Sequence, residues 1–441
     1  MANKNRPDSD EVHLLQTARG VRDLLPEDKI PRQQITDMLR QVFESFGYAP
    51  LETPALERLS VLTAKFAGGE GILKEIFRLK DQGNRNLGLR YDVTVPMARV
   101  VGMNPQLKMP FKRYQMQNVW RDGPIKLGRY REFLQCDVDI VGVPSMIADA
   151  EIVTIAYTVF SRLNLDVVIK INNRKLLNGI LSYTGVKKGN AMRAILAIDK
   201  LTKIGFEAVS DELKDIGVLN DSIKKLREIF DSEELNEELL SKLNTLIKTR
   251  EGKEGIKELR ELFSCIKDLN IANVMLDISL ARGLEYYTGT VFEAYLADSP
   301  VISSVAGGGR YDKMIGLFLG RGKYPAVGIS FGIEPIYDAL VAAGKIEKRK
   351  SLLEVYIIPI KTLKESMDIA MKLRSQGLKV DMDLLGRGIS NNLSYANSMG
   401  IPFTLIIGPR ELKEGKLKLR DMRTGEEEML DIEGVAGRVK R

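Results

Sequence analysis

From Pro31 to Phe46 apolar residues recur at helical spacing, with Ile35, Met38, Leu39, Val42 and Phe43 on one face and Gly47 ending the run. Beyond it the pattern changes to strand-like stretches at Leu87 to Leu89, Met109 to Trp120 and Arg131 to Val141. Side chains alternate faces along a strand, so Phe133, Gln135, Asp137, Asp139 and Val141 share one side of the third stretch. Three polar acceptors in a row predict a wet or ligand-filled face rather than core.

Residues 176–270 become strongly charged and keep helical spacing, as in Leu240, Leu243, Leu246 and Ile247, which predicts an inserted helical domain. Strand and glycine signals resume near Ile271 and continue through Ala306-Gly307-Gly308-Gly309-Arg310-Tyr311-Asp312 to Val327-Gly328-Ile329-Ser330-Phe331-Gly332. By itself the glycine run reads as a structural turn. After a charged linker, strand and helix alternate over Val355 to Pro359, Thr362 to Gln376, Val380 to Leu384, Ile389 to Met399 and Phe403 to Ile407. That alternation predicts a small α/β domain with a largely parallel sheet. The expected boundaries are a tail at 1–17, a core in two parts at 18–175 and 271–342, the insertion at 176–270, the linker at 343–352 and a terminal domain at 353–441.

A chain of 441 residues with 44% hydrophobic and 28% charged positions is ordinary for a globular protein of two or three domains, which argues against disorder or a fibre. Cys136 and Cys265 cannot form a disulfide framework and lack metal-ligand spacing, which points to a reducing compartment. No apolar run approaches the roughly 18 residues of a membrane span, and the polar N-terminus has no signal core. A cytoplasmic location with no membrane partner is expected.

Charge narrows the partners. The net charge is +7, yet residues 211–260 hold 13 acids against 10 bases, while residues 101–131 hold seven bases against the single acid Asp122. Tyr114, Trp120 and Tyr130 lie within that basic segment, which suits either a polyanion or a solvated basic surface. The one histidine, His13, sits in the polar tail, so chemistry built on a histidine base or a histidine-rich metal site is excluded. Arginines, carboxylates and hydroxyls must carry the reaction. Arg121, Arg129 and Arg131 cluster around turn signals at Gly123-Pro124 and Gly128, and guanidinium forks grip phosphates in bidentate fashion. Arginines on a loop beside acceptors on a strand fit a nucleotide next to an amine.

These residues carry a resemblance. Gly47 to Glu57 resembles motif 1 of class II aminoacyl-tRNA synthetases, Trp120-Arg121 through Arg131-Glu132-Phe133 resembles motif 2, and Ala326 to Leu340 resembles motif 3. Leu280-Ala281-Arg282-Gly283-Leu284-Glu285-Tyr286-Tyr287 is similar to a signature of the histidyl-tRNA synthetase family, and Leu89 to Thr94 and the AGGGRYD run fit the same pattern. The resemblance covers the chain from about residue 18 to the end. It implies an α+β protein, with a class II antiparallel-sheet catalytic core, the inserted helical domain and a C-terminal α/β anticodon-binding domain.

What the family does then implies roles here. The chain would form histidyl-adenylate from L-histidine and ATP, with Mg2+ accompanying ATP, and pass the histidyl group to the 3′ end of tRNA(His); motif 1 implies a homodimer. The Asp92-Val93-Thr94 run and Gln135 would receive the substrate α-ammonium. Arg121, with Arg129, would hold ATP phosphates, and Arg282 would face the carboxylate and α-phosphate from the other side. Asp139 and Tyr287 would bond the imidazole edges, with Tyr286 walling the pocket. Asp137 reads instead as a structural partner of Arg129 or Arg131.

One departure matters. The family's motif 3 usually carries a γ-phosphate-binding arginine where this chain has Pro335, so Arg310, Arg321 and Lys323 become the candidates to replace it. The alternatives are a non-aminoacylating paralogue, regulatory or RNA-binding. Regulatory subunits of the family lack the C-terminal domain that 353–441 supplies here.

Overall fold

The computed structural model describes residues 15–64, 73–125, 130–232, 234, 236–282, 286–297, 303–320 and 322–440. His13, Arg129, Gly283 to Glu285 and Arg321 lie outside the described residues. The chain divides into two compact units, one holding residues 35–345 together with the described residues up to Arg22, the other holding 23–34 and 346–441.

In the first unit the strands are β1 (Ala49–Pro50), β2 (Leu56–Arg58), β3 (Arg78–Lys80), β4 (Asn86–Leu89), β5 (Phe111–Trp120), β6 (Glu132–Val141), β7 (Val167–Asn173), β8 (Val274–Leu276), β9 (Thr290–Leu296), β10 (Ala306–Arg310) and β11 (Ala326–Gly332). Eight of them form one sheet in the order β1-β5-β6-β11-β10-β9-β7-β8, while β2, β4 and β3 make a separate small sheet. From β5 across to β7 every pairing is antiparallel.

Helices cover the back of the large sheet. The first, Pro26–Ser45, begins earlier than the apolar spacing predicted, because its opening turn is polar. Its buried Ile35, Leu39, Val42 and Phe43 face inward, and Phe43 and Phe160 of the helix Ile147–Arg162 both pack on Phe331 of β11, at ring distances of 5.5 and 5.9 Å. The expected insertion is helical from Arg174–Thr184 to Arg250–Asp268. It leaves from β7 and returns at β8, its parallel neighbour, and it belongs to the same compact unit.

The glycine run is not a turn. Gly307 to Gly309 lie inside β10, paired on both edges. The opposite face of the large sheet therefore has a floor without side chains at its centre, bounded on one side by the polar row of β6.

The second unit holds β12 (Val355–Pro359), β13 (Val380–Met382), β14 (Phe403–Ile407), β15 (Leu417–Asp421) and β16 (Glu427–Leu430), in the order β13-β12-β14-β15-β16. The first three are parallel, as the alternation of strand and helix predicted. β15 and β16 add an antiparallel hairpin that the sequence reading did not anticipate. Val355, Ile357, Leu373, Leu405 and Val435 make this unit's own core.

Candidate active site

Sheet register builds the site. On β6, Asp139 stands opposite Arg113 of β5 and Gly328 of β11, and Gly328 in turn faces Gly309 of β10. One step along, Asp137 stands between Gln115 and Ser330, and Ser330 faces Gly307. A further step places Gln135 between Gln117 and Gly332. Two rows thus run from charged or polar side chains into glycine, leaving a cavity of about 380 Å³ above the floor. That volume suits a small ligand.

The glycines are needed where they stand. A Cβ on Gly307 would overlap the Arg282 guanidinium, one on Gly308 would overlap the Gly328 carbonyl, and one on Gly309 would reach within 2.5 Å of the Thr290 carbonyl. The first obstacle is a side-chain end that can move, whereas the second is backbone. Gly307→Ala is therefore expected to fold normally but lower adenylate formation by roughly 10- to 100-fold, since small displacements of a positioned group carry penalties of that order. Gly308→Ala should instead lose about 1–3 kcal/mol of stability to overpacking. Thermal melts alongside initial rates check both; equal losses of stability in the two variants would contradict the assignment.

The cavity brings together Asp92, Thr94, Arg121, Gln135, Asp139, Arg282, Tyr286 and Tyr287, all singled out from the sequence. Val93 is not among its walls. It is fully buried at the N-cap of the helix Thr94–Met103 and packs into the protein instead. Asp92 Oδ1 accepts the Val95 N–H at 3.0 Å, which anchors the carboxylate at the positive end of that helix.

Arg121 donates Nε to the Tyr91 carbonyl at 3.0 Å and lies 5.1 Å from the Phe133 ring centroid. Arg282 has a φ of 37°, in the left-handed region that arginine seldom adopts, and its backbone strain marks a position held by its surroundings. Its Nη1 donates to the Phe292 carbonyl at 3.4 Å and its Nε lies 3.5 Å from Glu293. Tyr286 packs against Tyr287 with ring centroids 4.6 Å apart and planes tilted by 55°, and meets Tyr311 edge-on at 6.0 Å.

Asp137 requires a correction. Arg131 pairs with Asp122 at 2.9 Å, not with Asp137, while the other expected partner, Arg129, lies outside the described residues. Asp137 instead lines the cavity, and its Oδ1, like Oε1 of Gln135, has no hydrogen-bond donor among the described residues. Such orphaned acceptors suit a ligand rich in N–H donors. Burial, and then the neighbouring Asp139, push the Asp137 carboxyl up to about 7 against the opposing pull of Arg113 and Ser330. Burial likewise raises Asp92 to about 6, opposed by the Val95 N–H, Arg121 and Arg113.

Arg310 is also reassigned. Its guanidinium is 2% exposed and committed to Asp149, to Asp312 and to the carbonyls of Val143 and Ser145, so it cannot serve a phosphate. Three site residues escaped the sequence reading. Arg113 and Tyr311 both bind Asp139, and Ser330 faces Asp137 across the sheet. The alternation Arg113, Gln115, Gln117 along β5 was the available signal for the first.

The sequence model described as histidyl-tRNA synthetase matches residues 20–336. This chain belongs to the histidyl-tRNA synthetase family. A second model, described as an anticodon binding domain, matches residues 354–441. Histidine--tRNA ligase 1 of Bacillus cereus is 43% identical over 426 residues, covering 94% of each chain. Histidine--tRNA ligase 2 of Shouchella clausii is 43% identical over 416 residues, covering 94% of this chain and 97% of that one. The crystal structure of histidyl-tRNA synthetase from Nostoc sp. PCC 7120 is 32% identical, with a TM-score of 0.86 over 97% of this chain and 99% of that chain.

The fold is thus the α+β class II synthetase fold with a C-terminal anticodon-binding domain. Within a histidyl-tRNA synthetase framework the departure at Pro335 has a local explanation. Pro335 is the third residue of the helix Ile333–Ala342, where an N–H has no intrahelical partner and proline is tolerated. Its ring lies beside Gly332, which borders the cavity, and the preceding Glu334 pairs with Arg22.

Proposed function

We propose that this chain is a histidine--tRNA ligase that forms histidyl-adenylate from L-histidine and ATP and then acylates tRNA(His). The observation that carries the reading is the cavity itself, which gathers the acceptors Asp92, Gln135 and Asp137 together with the cations Arg121 and Arg282. An α-ammonium brings three N–H donors to the acceptors. The carboxylate and the α-phosphate lie between the arginines.

In the first step a carboxylate oxygen of histidine forms a bond to the α-phosphorus as the bond to the bridging oxygen breaks and pyrophosphate leaves. The nucleophile is already anionic, so no side-chain base is required. Arg121 and Arg282 oppose the charge that builds on the α-phosphate. In the second step a terminal tRNA hydroxyl attacks the acyl carbon and AMP leaves.

Among the described residues no group of three or more His, Cys, Asp or Glu side chains is arranged to hold a metal ion. Mg2+ is accordingly assigned to the ATP phosphates, whose charge it would offset, a mode in which it needs few protein ligands. No helix among the described residues is long and apolar enough to cross a membrane. We assign the enzyme to the cytoplasm and expect a homodimer through the motif 1 segment.

The terminal domain, residues 353–441, whose strands and core lie in the second unit, is assigned to the tRNA anticodon. Because it owns a separate core, a chain ending at Lys350 is expected to form adenylate at a near-normal rate yet acylate tRNA poorly. Transfer of labelled histidine to tRNA by the full and shortened chains checks this. Equal charging would reject the assignment.

With Arg310 withdrawn, the described bases lining the cavity are Arg121 and Arg282, and none stands in for the motif 3 guanidinium. Pro335→Arg should therefore lower the KM for ATP several-fold and leave that for histidine unchanged. Steady-state kinetics with each substrate varied will decide; an unchanged or higher ATP requirement would show that Pro335 costs the enzyme nothing.

A further inference from the structure

One end of the cavity is walled by two elements that the sheet itself does not join. Gln135 and Gly332 are the last pair between β6 and β11. Past that pair β6 runs back through Phe133 toward Tyr130, and β11 runs on into the helix Ile333–Ala342. Phe133 and Gly332 line the cavity here, and Phe133 lies beside Arg121, so this is the end allotted above to ATP.

The N-terminal residues Arg19 to Arg22 cross both walls. The Gly20 carbonyl accepts the Arg131 N–H at 2.8 Å, and the Arg131 carbonyl accepts the Arg121 N–H at 2.8 Å, so the segment adds a rung beside the two chains of motif 2. Gly20 has a φ of 88°, and a Cβ there would come within 2.7 Å of the Arg131 side chain, so the crossing requires glycine. Arg22 then lays its guanidinium over the Tyr130 ring, 3.7 Å from the centroid, and donates Nη1 to the Tyr130 hydroxyl at 2.7 Å. Its Nη2 pairs with Glu334, which stands immediately before Pro335 in the opposite wall.

We propose that Arg22 is a positioning residue for ATP: its side chain ties the motif 2 wall to the motif 3 wall and holds them at the spacing the nucleotide needs, in a chain whose motif 3 carries proline in place of the usual arginine. The inference rests on the ligase reading above. Arg22 is not among the residues lining the cavity, so it acts through Tyr130 and Glu334 and not on the nucleotide directly. A planar guanidinium can stack on a ring and still reach acceptors on two elements, which a lysine cannot do.

The histidine part of the site does not depend on this tie. Asp139 is held by Arg113 and Tyr311, and Asp92 by the Val95 N–H. The Arg121 guanidinium keeps its own anchor on the Tyr91 carbonyl. Loss of Arg22 therefore loosens how ATP is seated without removing the donors that meet the developing charge. That separates it from Arg121, whose loss falls on the chemical step.

Histidine-dependent exchange of pyrophosphate into ATP, with each substrate varied in turn, tests the tie on the full chain. In Arg22→Ala the KM for ATP should rise about 3- to 10-fold, the scale of losing a cation–π contact and a part-exposed ion pair. The KM for histidine and the saturated rate should stay within about twofold, the signature of lost ground-state seating. Arg22→Lys, which keeps a charge beside Glu334 but not the fork over Tyr130, should recover part of the loss. Arg22→Ala combined with Glu334→Gln should be no worse than Arg22→Ala alone, because either change cuts the same tie.

If Arg22→Ala does not fold, Tyr130→Leu and Glu334→Gln cut the tie from its two ends, and each should raise the ATP requirement alone. An unchanged KM for ATP in Arg22→Ala, additive losses in the double variant, or equal rises for histidine and ATP would overturn the inference and leave the ligase reading standing. Absence of exchange in the native chain would overturn the two together.

Discussion

Arg282→Ala is expected to lower adenylate formation by about 100-fold or more while the protein stays folded, the scale of losing one preorganised donor to a charged transition state. The structure explains why the loss should be this large. Arg282 is held at a positive φ, its guanidinium rests over the gap left by Gly307, and the Phe292 carbonyl and Glu293 fix its direction. A donor aimed in advance loses nothing to reorganisation when charge develops. Its removal leaves the floor of the site intact, since β10 is held by backbone pairing on both edges. Arg121→Ala should act on the same step to a similar extent, because its Nε is fixed to the Tyr91 carbonyl and its plane lies near Phe133. Single-turnover formation of adenylate measures both variants. A near-normal rate in either would remove that arginine from the chemistry.

Asp139→Ala is expected to do two kinds of damage. From the sequence it read as a ligand group alone, but the ion pair with buried Arg113 gives it a second role. Removing one partner of a buried pair strands the other charge and typically costs about 3–5 kcal/mol, which in a chain of this size should appear as a clear drop in melting temperature. The requirement for histidine should also rise far more than that for ATP, since a ring N–H loses its acceptor. Asp139→Asn keeps the shape and some hydrogen bonding, so it should unfold less readily than Asp139→Ala while still weakening histidine. Melting curves for the two variants, with KM for each substrate, test the pair of effects. A stable Asp139→Ala protein would contradict the buried ion pair. Equal changes in both KM values would contradict the ring contact.

How much of this was legible in the sequence depended on whether the deciding contacts were local. The period-two row Gln135, Asp137, Asp139 could be read because alternation along one strand requires no knowledge of neighbours. The helix Ile389–Ser398 and the strand Phe403–Ile407 were legible for the same reason, each carrying its own apolar periodicity. The partners of that row could not be read. Arg113 faces Asp139 only through the β5–β6 register, and Tyr311 reaches it from beyond β10.

The glycine run misled because a turn and a floor demand the same residue for different reasons: a turn needs the backbone freedom, whereas β10 needs the absent side chain. The hairpin β15–β16 was missed because its strands are short and rich in charge. Its stability draws on cross-strand pairs, Lys418 with Glu427 at 3.3 Å and Arg420 with Glu427 at 3.0 Å, which apolar patterning does not register. Arg310 was misassigned on charge alone. Its burial against Asp149 is a tertiary fact, set by the packing of the helix Ile147–Arg162 on the sheet.

Histidine-dependent exchange of labelled pyrophosphate into ATP tests the central claim most directly, because it reports adenylate formation without tRNA and asks only whether this cavity joins a carboxylate to the α-phosphate. Exchange is predicted with L-histidine, falling by about 100-fold in Arg282→Ala, and none is predicted with the other standard amino acids. No exchange with histidine in the native chain, while ATP or tRNA still binds, would contradict the account and favour a paralogue that has kept the fold without the ligase reaction.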